Sequence, residues 1–181
     1  MAIIWYREKM NSVFVNRIIR ACKLEVSLYE EVEADNSATL QAALVVVLSS
    51  LAAGVGALSL GASNFLMAPI LSLISWYVWA YLIYIIGVKL FPEPNTKADH
   101  GQLLRTIGFS SAPGLIRIFG LTPDLMTITF IGGGIWMLVA MIIAVRQALD
   151  YESTWRAIGV VIIGFLVQAI ILIILLRIFG P

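Results

Sequence analysis

The densest charge in this chain lies near its N-terminus, where Arg17, Arg20 and Lys23 are followed by Glu30, Glu31, Glu33 and Asp35. Cations gathered on one side of a helix attract anionic lipid headgroups, at about 1 kcal/mol per cation near the surface. The carboxylates crowded into residues 29–35, beside Tyr29, suit three roles: the positive end of a helix starting just after them, a basic protein partner, or a metal ion. Other chemistry is sparse. The single cysteine, Cys22, makes no internal disulfide, and the single histidine, His100, makes no histidine cluster. No Ser/His/Asp or Cys/His set, zinc-binding HExxH or phosphate-cradling glycine loop can be assembled, so no enzyme, metal site or cofactor is expected. Thr106, Gly108, Ser110, Ser111, Pro113 and Gly114 crowd together. Pro113 cannot donate to the carbonyl of Phe109, and nearby hydroxyls can serve that carbonyl, so a kinked buried helix is expected. A transport path would use such a helix together with an acid at membrane depth. No Asp or Glu lies deep in any apolar run, and the central Gln168 reads as interhelical glue.

The elements that position these residues are membrane spans. Of the 181 residues, 60% are hydrophobic and 13% charged, with a mean hydropathy of +0.94. A soluble domain is roughly half apolar and one-quarter charged. The net charge of +1 gives no basic field for nucleic acid. Residues 1–20 are scattered with charge and hold no long apolar run, so no cleavable signal peptide is expected. Four runs, 40–62, 65–91, 124–145 and 158–179, reach the roughly 20 apolar residues that cross a hydrocarbon core. A fifth, 101–120, contains Arg105 and Arg117, whose heads reach opposite interfaces if both snorkel. Capping signals agree with these limits: Asn36 or Ser37 before the first run, Asp99 with Gln102 as a capping box, and Thr122-Pro123. Pro92 and Pro94 close the second. Counting Lys and Arg in flanking loops places ten on the side of the N-terminus and two opposite, for five spans or for four. The bias puts the N-terminus in the cytoplasm and leaves the number of spans open.

Residues 11–29 carry Val15, Ile18, Ile19, Cys22, Val26 and Tyr29 at helical spacing, with Arg17, Arg20 and Lys23 largely off that stripe. This is the pattern of a helix lying in the headgroup layer or packed on the protein's own spans. In the first span Ser49, Ala53, Ala57 and Gly61 recur every four residues, with Ala52 and Gly56 alongside. Small residues in register let helices approach closely, inside one chain or between two copies. Gly132, Gly133 and Gly134 in the fourth run point the same way. Trp76, Tyr77, Trp79, Tyr81 and Tyr84 in the second run need partners for their polar tips if they are buried, or form a ligand wall.

The run RACKLEVSLYEEVEAD over residues 20–35, ATLQA over 38–42, GFSSAPG over 108–114 and AVRQALDYESTWRA over 144–157 together resemble the prokaryotic branch of the YIP family, named for Ypt/Rab-interacting proteins. The resemblance covers about residues 12–178. It implies five transmembrane helices and a cytoplasmic N-terminus. Eukaryotic members bind prenylated Rab GTPases and act in vesicle traffic. Their Asp-Leu-Tyr-Gly-Pro signature is matched here only at Leu28 and Tyr29, and their later Gly-Tyr pair stands as Gly108-Phe109. The expected class is an all-α integral membrane bundle of five transmembrane helices, four as the fallback, plus an N-terminal amphipathic helix. Residues 1–36 form a cytoplasmic amphipathic and acidic segment, and 37–181 the transmembrane domain. The expected function is a non-enzymatic scaffold or adaptor in the cell membrane of a prokaryote, with a small transporter or channel as the alternative. Lipid and partner contacts are expected at Arg17, Arg20, Lys23, Tyr29, Glu30, Glu31 and Glu33, and helix packing at Ser49, Ala53, Ala57, Gly61, Gly108 and Pro113. The partners expected are membrane lipids, a cytoplasmic protein and a second copy of the chain. Nucleic acid is not expected, nor, in a prokaryotic cell, is a Rab GTPase.

Overall fold

The structure, a computed structural model, describes residues 2–58 and 67–179, with side chains described from Ser12 onward except at 172, 175, 176 and 179. Gly61, one of the packing residues expected from sequence, lies outside the described residues. The chain runs α1 (Ala2–Cys22), α2 (Val26–Ala34), α3 (Ala38–Gly56), α4 (Ala68–Tyr84), α5 (His100–Phe109), α6 (Pro123–Ala148) and α7 (Thr154–Phe179). A π-helical turn, Ile85–Leu90, extends α4, and a 3-10 segment, Ala112–Phe119, follows α5. Four helices are long and apolar enough to cross a membrane: Ala38–Gly56, Ala68–Leu90, Pro123–Ala148 and Thr154–Ile171. Their outward faces carry Leu40, Ile74, Ile128, Ile135 and Ile170, each at least half exposed. Such surface is tolerable in lipid and would drive aggregation in water.

The single helical stripe expected over residues 11–29 is two helices. The amide of Leu24 donates to the carbonyl of Ala21 at 3.0 Å and that of Glu25 to Arg20 at 3.1 Å, the bond pattern of a Schellman stop. Leu24 sits there at φ 61°, in the left-handed region that leucine rarely adopts. Asp150 closes α6 with the same pattern at φ 52°. The capping box forms as the sequence indicates, with Gln102 N donating to Asp99 Oδ1 at 2.8 Å and Asp99 N donating to Gln102 Oε1 at 2.6 Å.

Segment 100–120 is the middle of the bundle. Every residue from Leu103 to Phe109 is buried, and the chain turns from α to 3-10 around Pro113. Its side chains join two apolar clusters. One unites Trp79, Ile83, Leu103, Ile107, Leu149 and Val161 from α4 to α7. The other unites Leu28, Tyr29 and Val32 of α2 with Ala42, Phe109 and Ala144. Thr106 and Ser110 return their hydroxyl protons to the carbonyls of Gln102 and Ile107, so neither demands a partner across the bundle.

Close approach sets the position of this segment. A Cβ on Gly108 would lie 2.7 Å from the Cβ of Ala42, one on Gly114 would lie 2.1 Å from Ser49 Oγ, and one on Gly56 would lie 2.0 Å from the carbonyl oxygen of Arg117. The 3-10 segment also runs antiparallel to α6, with Gly114 against Met137 and Gly120 against Met126. Segment 100–120 therefore follows α3 and α6 along most of their lengths. The face of α3 that does this is Ala42, Ser49, Ala52 and Gly56, all buried except at a few per cent, while Ala53 and Ala57 are half-buried beside it.

These distances yield a substitution pair. Gly108→Ala or Gly56→Ala must push apart backbones already in contact, at a cost on the order of 1–3 kcal/mol, while Gly132→Ala on α6 meets nothing within 4 Å. Melting of the purified protein in detergent should fall for the first two and hold or rise for the third. Equal melting of all three would refute the close approach.

Candidate functional site

One end of the bundle gathers the ion pairs of the described residues and many of the side-chain hydrogen bonds that join one element to another. Arg17, only 6% exposed, is its centre on the α1 side. Nε donates to Glu31 Oε1, Nη1 to Gln41 Oε1 and Nη2 to Asp35 Oδ2, each at 2.8 Å. Arg20 donates to Glu25 at 3.0 Å and also to the second oxygen of Glu31. Burial would raise the Glu31 carboxyl, but the hydrogen bonds from Arg20 and Arg17 outweigh it and hold it below the usual carboxylate range. Asp35 is held low by Ser37, which donates through both its amide and its hydroxyl, and then by Arg17. A guanidinium with three partners offsets its loss of water, so α1 is tied to α2 and α3 by charge-assisted bonds rather than left to find lipid.

The C-terminus of α2 is closed from the opposite side. Arg105 of α5, 5% exposed, donates Nε to the carbonyl of Val32 at 2.9 Å and Nη2 to that of Glu33. A cation on the last carbonyls of a helix satisfies both their hydrogen bonding and their partial negative charge. Arg105 thus does not snorkel outward, and its burial is explained by the helix end it caps. Nearby, Gln147 Nε2 donates to Glu30 Oε1 at 2.8 Å, fixing α2 to α6.

Two loops complete this end. Thr96 donates its hydroxyl to the carbonyl of Leu149 at 2.8 Å, Glu93 accepts from Glu152 N at 2.9 Å, and Arg156 reaches Glu93 at 3.1 Å. The Tyr151 hydroxyl lies 2.7 Å from the Phe91 carbonyl and 3.0 Å from that of Gly87, where the π-turn redirects the backbone. Between the loops lies a polar hollow of about 470 Å³ lined by Lys97, Arg146, Gln147, Asp150 and Glu152.

The structure thus joins Arg17, Arg20 and Glu31 among the contact residues expected from sequence to one another, and bonds Glu30 separately to Gln147 of α6. Tyr29 is fully buried, and burial pushes its phenol up. Lys23 is exposed, and the outward side of α1 and α2 shows Val15, Ile19 and Val26. Arg105 and Gln147 were missed, since only the fold reveals which helix end or carboxylate a polar side chain faces. Trp136 was missed too: its indole donates to the carbonyl of Cys22 at 2.9 Å and holds the α1 stop against α6. Of the second-span aromatics, Trp76 finds the Leu104 carbonyl at 3.0 Å, while Tyr77 and Tyr81 stand half exposed around His100.

Glu33 supplies a pH test. Burial first, then the negative charge of Asp150, raises its carboxyl to about 7, against the opposing pull of Arg105 and with smaller upward pushes from Asp99 and Glu30. Between the ordinary carboxylate range and about 7 the folded chain keeps a proton that the unfolded chain releases, so native stability falls as pH rises through that window. Glu33→Gln should therefore raise the melting temperature at pH 8 and leave it unchanged at pH 4. A gain of equal size at both would mean that Glu33 titrates normally.

A family model, the Yip1 domain, matches residues 27–176, well over half of the chain. No curated protein and no solved structure matches it. The matched stretch begins at α2, takes in the capped helix end, the broken segment and both loops of the polar face, and ends inside α7. The chain therefore belongs to the Yip1 domain family.

Proposed function

We propose that this protein is a non-enzymatic membrane scaffold or adaptor that presents one polar face, made of α2 and the loops 91–99 and 149–153, to the cytoplasm. The observation that carries the reading is that these pieces, distant in sequence, are bonded into one surface: Glu30 to Gln147, Glu93 to Arg156, Thr96 to Leu149, and Arg105 to the end of α2. A surface built this way holds its shape without a ligand, which lowers the ordering cost of a bound partner. The polar hollow and the exposed Lys97 and Asp150 are its accessible charges. The apolar outer side of α1, with Val15 and Ile19 exposed beside Lys23, suits the headgroup layer around that face.

This reading includes five crossings with the N-terminus inside. Two things support it. Segment 100–120 lies along α3 and α6 over most of their lengths, and about 15 Å of α-helix plus 16 Å of 3-10 helix is enough to traverse a hydrocarbon core of about 30 Å. The loop after α4 and the loop after α6 also hydrogen-bond to each other, which requires them to share a side.

Thiol labelling tests the arrangement in intact cells after Cys22→Ala, with single cysteines introduced as Ser12→Cys, Ser153→Cys and Leu121→Cys. Five crossings shield the first two from an impermeant reagent and leave the third reactive. Four crossings reverse the last two, and with them the shared face. Photo-crosslinking groups placed at Lys97 and Asp150 should then capture a protein lost on Asp150→Lys, whereas one at Ile131 should capture only lipid. If neither face position yields a protein adduct, the adaptor role is wrong even where the topology holds.

A further inference from the structure

A second cavity, of about 250 Å³, opens among α3, α4, segment 100–120, α6 and α7, away from the polar face. One water needs only about 10–15 Å³ of such space, so this one is far larger than a packing defect. Among apolar wall residues such as Val46, Ile107 and Met141 it carries the polar side chains of Ser49, Ser50, Ser72, Ser75, Ser111 and Gln168. Ser50 and Ser72 turn their protons onto the carbonyls of Val47 and Pro69 in their own helices. The hydroxyls of Ser49, Ser75 and Ser111 and the side-chain amide of Gln168 hydrogen-bond to no other described residue.

Two donors at this cavity are buried without partners. Among the described residues Trp79, 6% exposed, has no acceptor for its indole Nε1, and Arg117 has none for Nε. Arg117 leans along the α6 glycines, with its Nε 3.6 Å from where a Gly133 Cβ would be, and its guanidinium rests 5.4 Å from the Phe130 ring centroid. The ring face offsets only part of the cost of holding a cation at this depth. Among the described residues no carboxylate is paired with it. The contrast with Arg17 and Arg105 is direct: those two are closed by protein, and this one is open toward a cavity.

Ser75 and Gln168 also line a neighbouring groove of about 380 Å³ between α4 and α7, whose other walls are Ile74, Val78, Leu82, Phe165, Ala169 and Ile171. The pair of spaces therefore has a cationic, hydroxyl-rich head and an apolar tail that share two residues.

We propose that this composite site binds a membrane-dissolved amphiphile with one acyl chain and an anionic carboxylate or phosphate head. The head pairs with Arg117 and accepts from Trp79 Nε1 and the serine hydroxyls, and the chain lies in the α4–α7 groove. The anion supplies a countercharge that the described residues do not, and the groove selects against small free anions, which gain nothing from it.

The test uses the full chain in phosphatidylcholine nanodiscs, titrated with dibromostearate, whose bromines quench Trp76 and Trp79 fluorescence. Saturable quenching is expected from the carboxylate and not from the corresponding dibrominated alcohol, and inorganic phosphate should not displace it. Arg117→Gln should weaken binding by roughly tenfold or more, as loss of one buried charge partner implies, while Arg117→Lys keeps most of it. Because Arg117→Gln can disturb folding, Ala169→Phe serves as the second variant, filling the exposed groove and leaving the head untouched. Equal quenching by acid and alcohol, displacement by inorganic phosphate, no saturable quenching in the unsubstituted chain, or unchanged binding in both Arg117→Gln and Ala169→Phe would each overturn the proposal.

Discussion

Backbone contact between α3 and segment 100–120 is the constraint on which the rest of the molecule rests. Helices in lipid gain no hydrophobic free energy by touching one another, so association comes from van der Waals contact and satisfied polar groups. Gly108 against Ala42, Gly114 against Ser49 and Gly56 against the Arg117 carbonyl provide the first of these over some four turns of α3. With that seam closed, Phe109 and Leu103 each serve a separate apolar cluster, and Arg105 is delivered to the end of α2. Opening the seam would cost both clusters and the helix cap together.

Two buried arginines, Arg17 and Arg105, and the half-buried Arg117 obey one rule with different outcomes. A charge leaves water only when other groups replace the solvent. Arg17 obtains two carboxylates and a glutamine, Arg105 obtains two carbonyls, and Arg117 obtains a ring face beside a hydroxyl-lined cavity. The first two weld α1 and α2 onto the spans. The third has donors left over, which makes its surroundings chemically different from a structural joint.

Much of the architecture was legible in sequence because lipid enforces it. Helices must be long and apolar, and helix starts must be capped, so the runs, the Asp99–Gln102 box and the Thr122-Pro123 start were readable from residues alone. The α1 stop was not, since Leu24 holds a left-handed conformation that sequence patterns associate with glycine, held there by the packing of Ala21, the Trp136 bond to Cys22 and the Arg20–Glu25 pair across the stop. The small-residue repeat was seen but displaced in phase: Ser49 is in the seam, whereas Ala53 and Ala57 flank Ala52 and Gly56, which form it. Both readings put small residues every three to four positions, and helical periodicity over four turns does not separate faces that are one residue apart. The polar face was hidden for another reason. Glu30 and Gln147, or Glu93 and Arg156, become neighbours only after the chain has reversed several times.

The broken segment also explains why the molecule has two polar regions rather than one. A continuous α-helix would hold its backbone donors and acceptors in register and present a uniform side-chain pitch of 3.6 residues. The change to 3-10 geometry around Pro113 lengthens the rise and resets the direction of every later side chain. Arg105, before the break, turns toward α2, and Arg117, after it, turns toward the glycines of α6 and the cavity among the serines. Pro113 is buried against the same surfaces, so the break is held by packing and not by solvent. One short element, interrupted once, thereby sends one arginine to close the polar face and another to line a space among the helices. An uninterrupted helix would fix arginines twelve residues apart at about 120° around a single axis, with no comparable freedom to aim them at different neighbours.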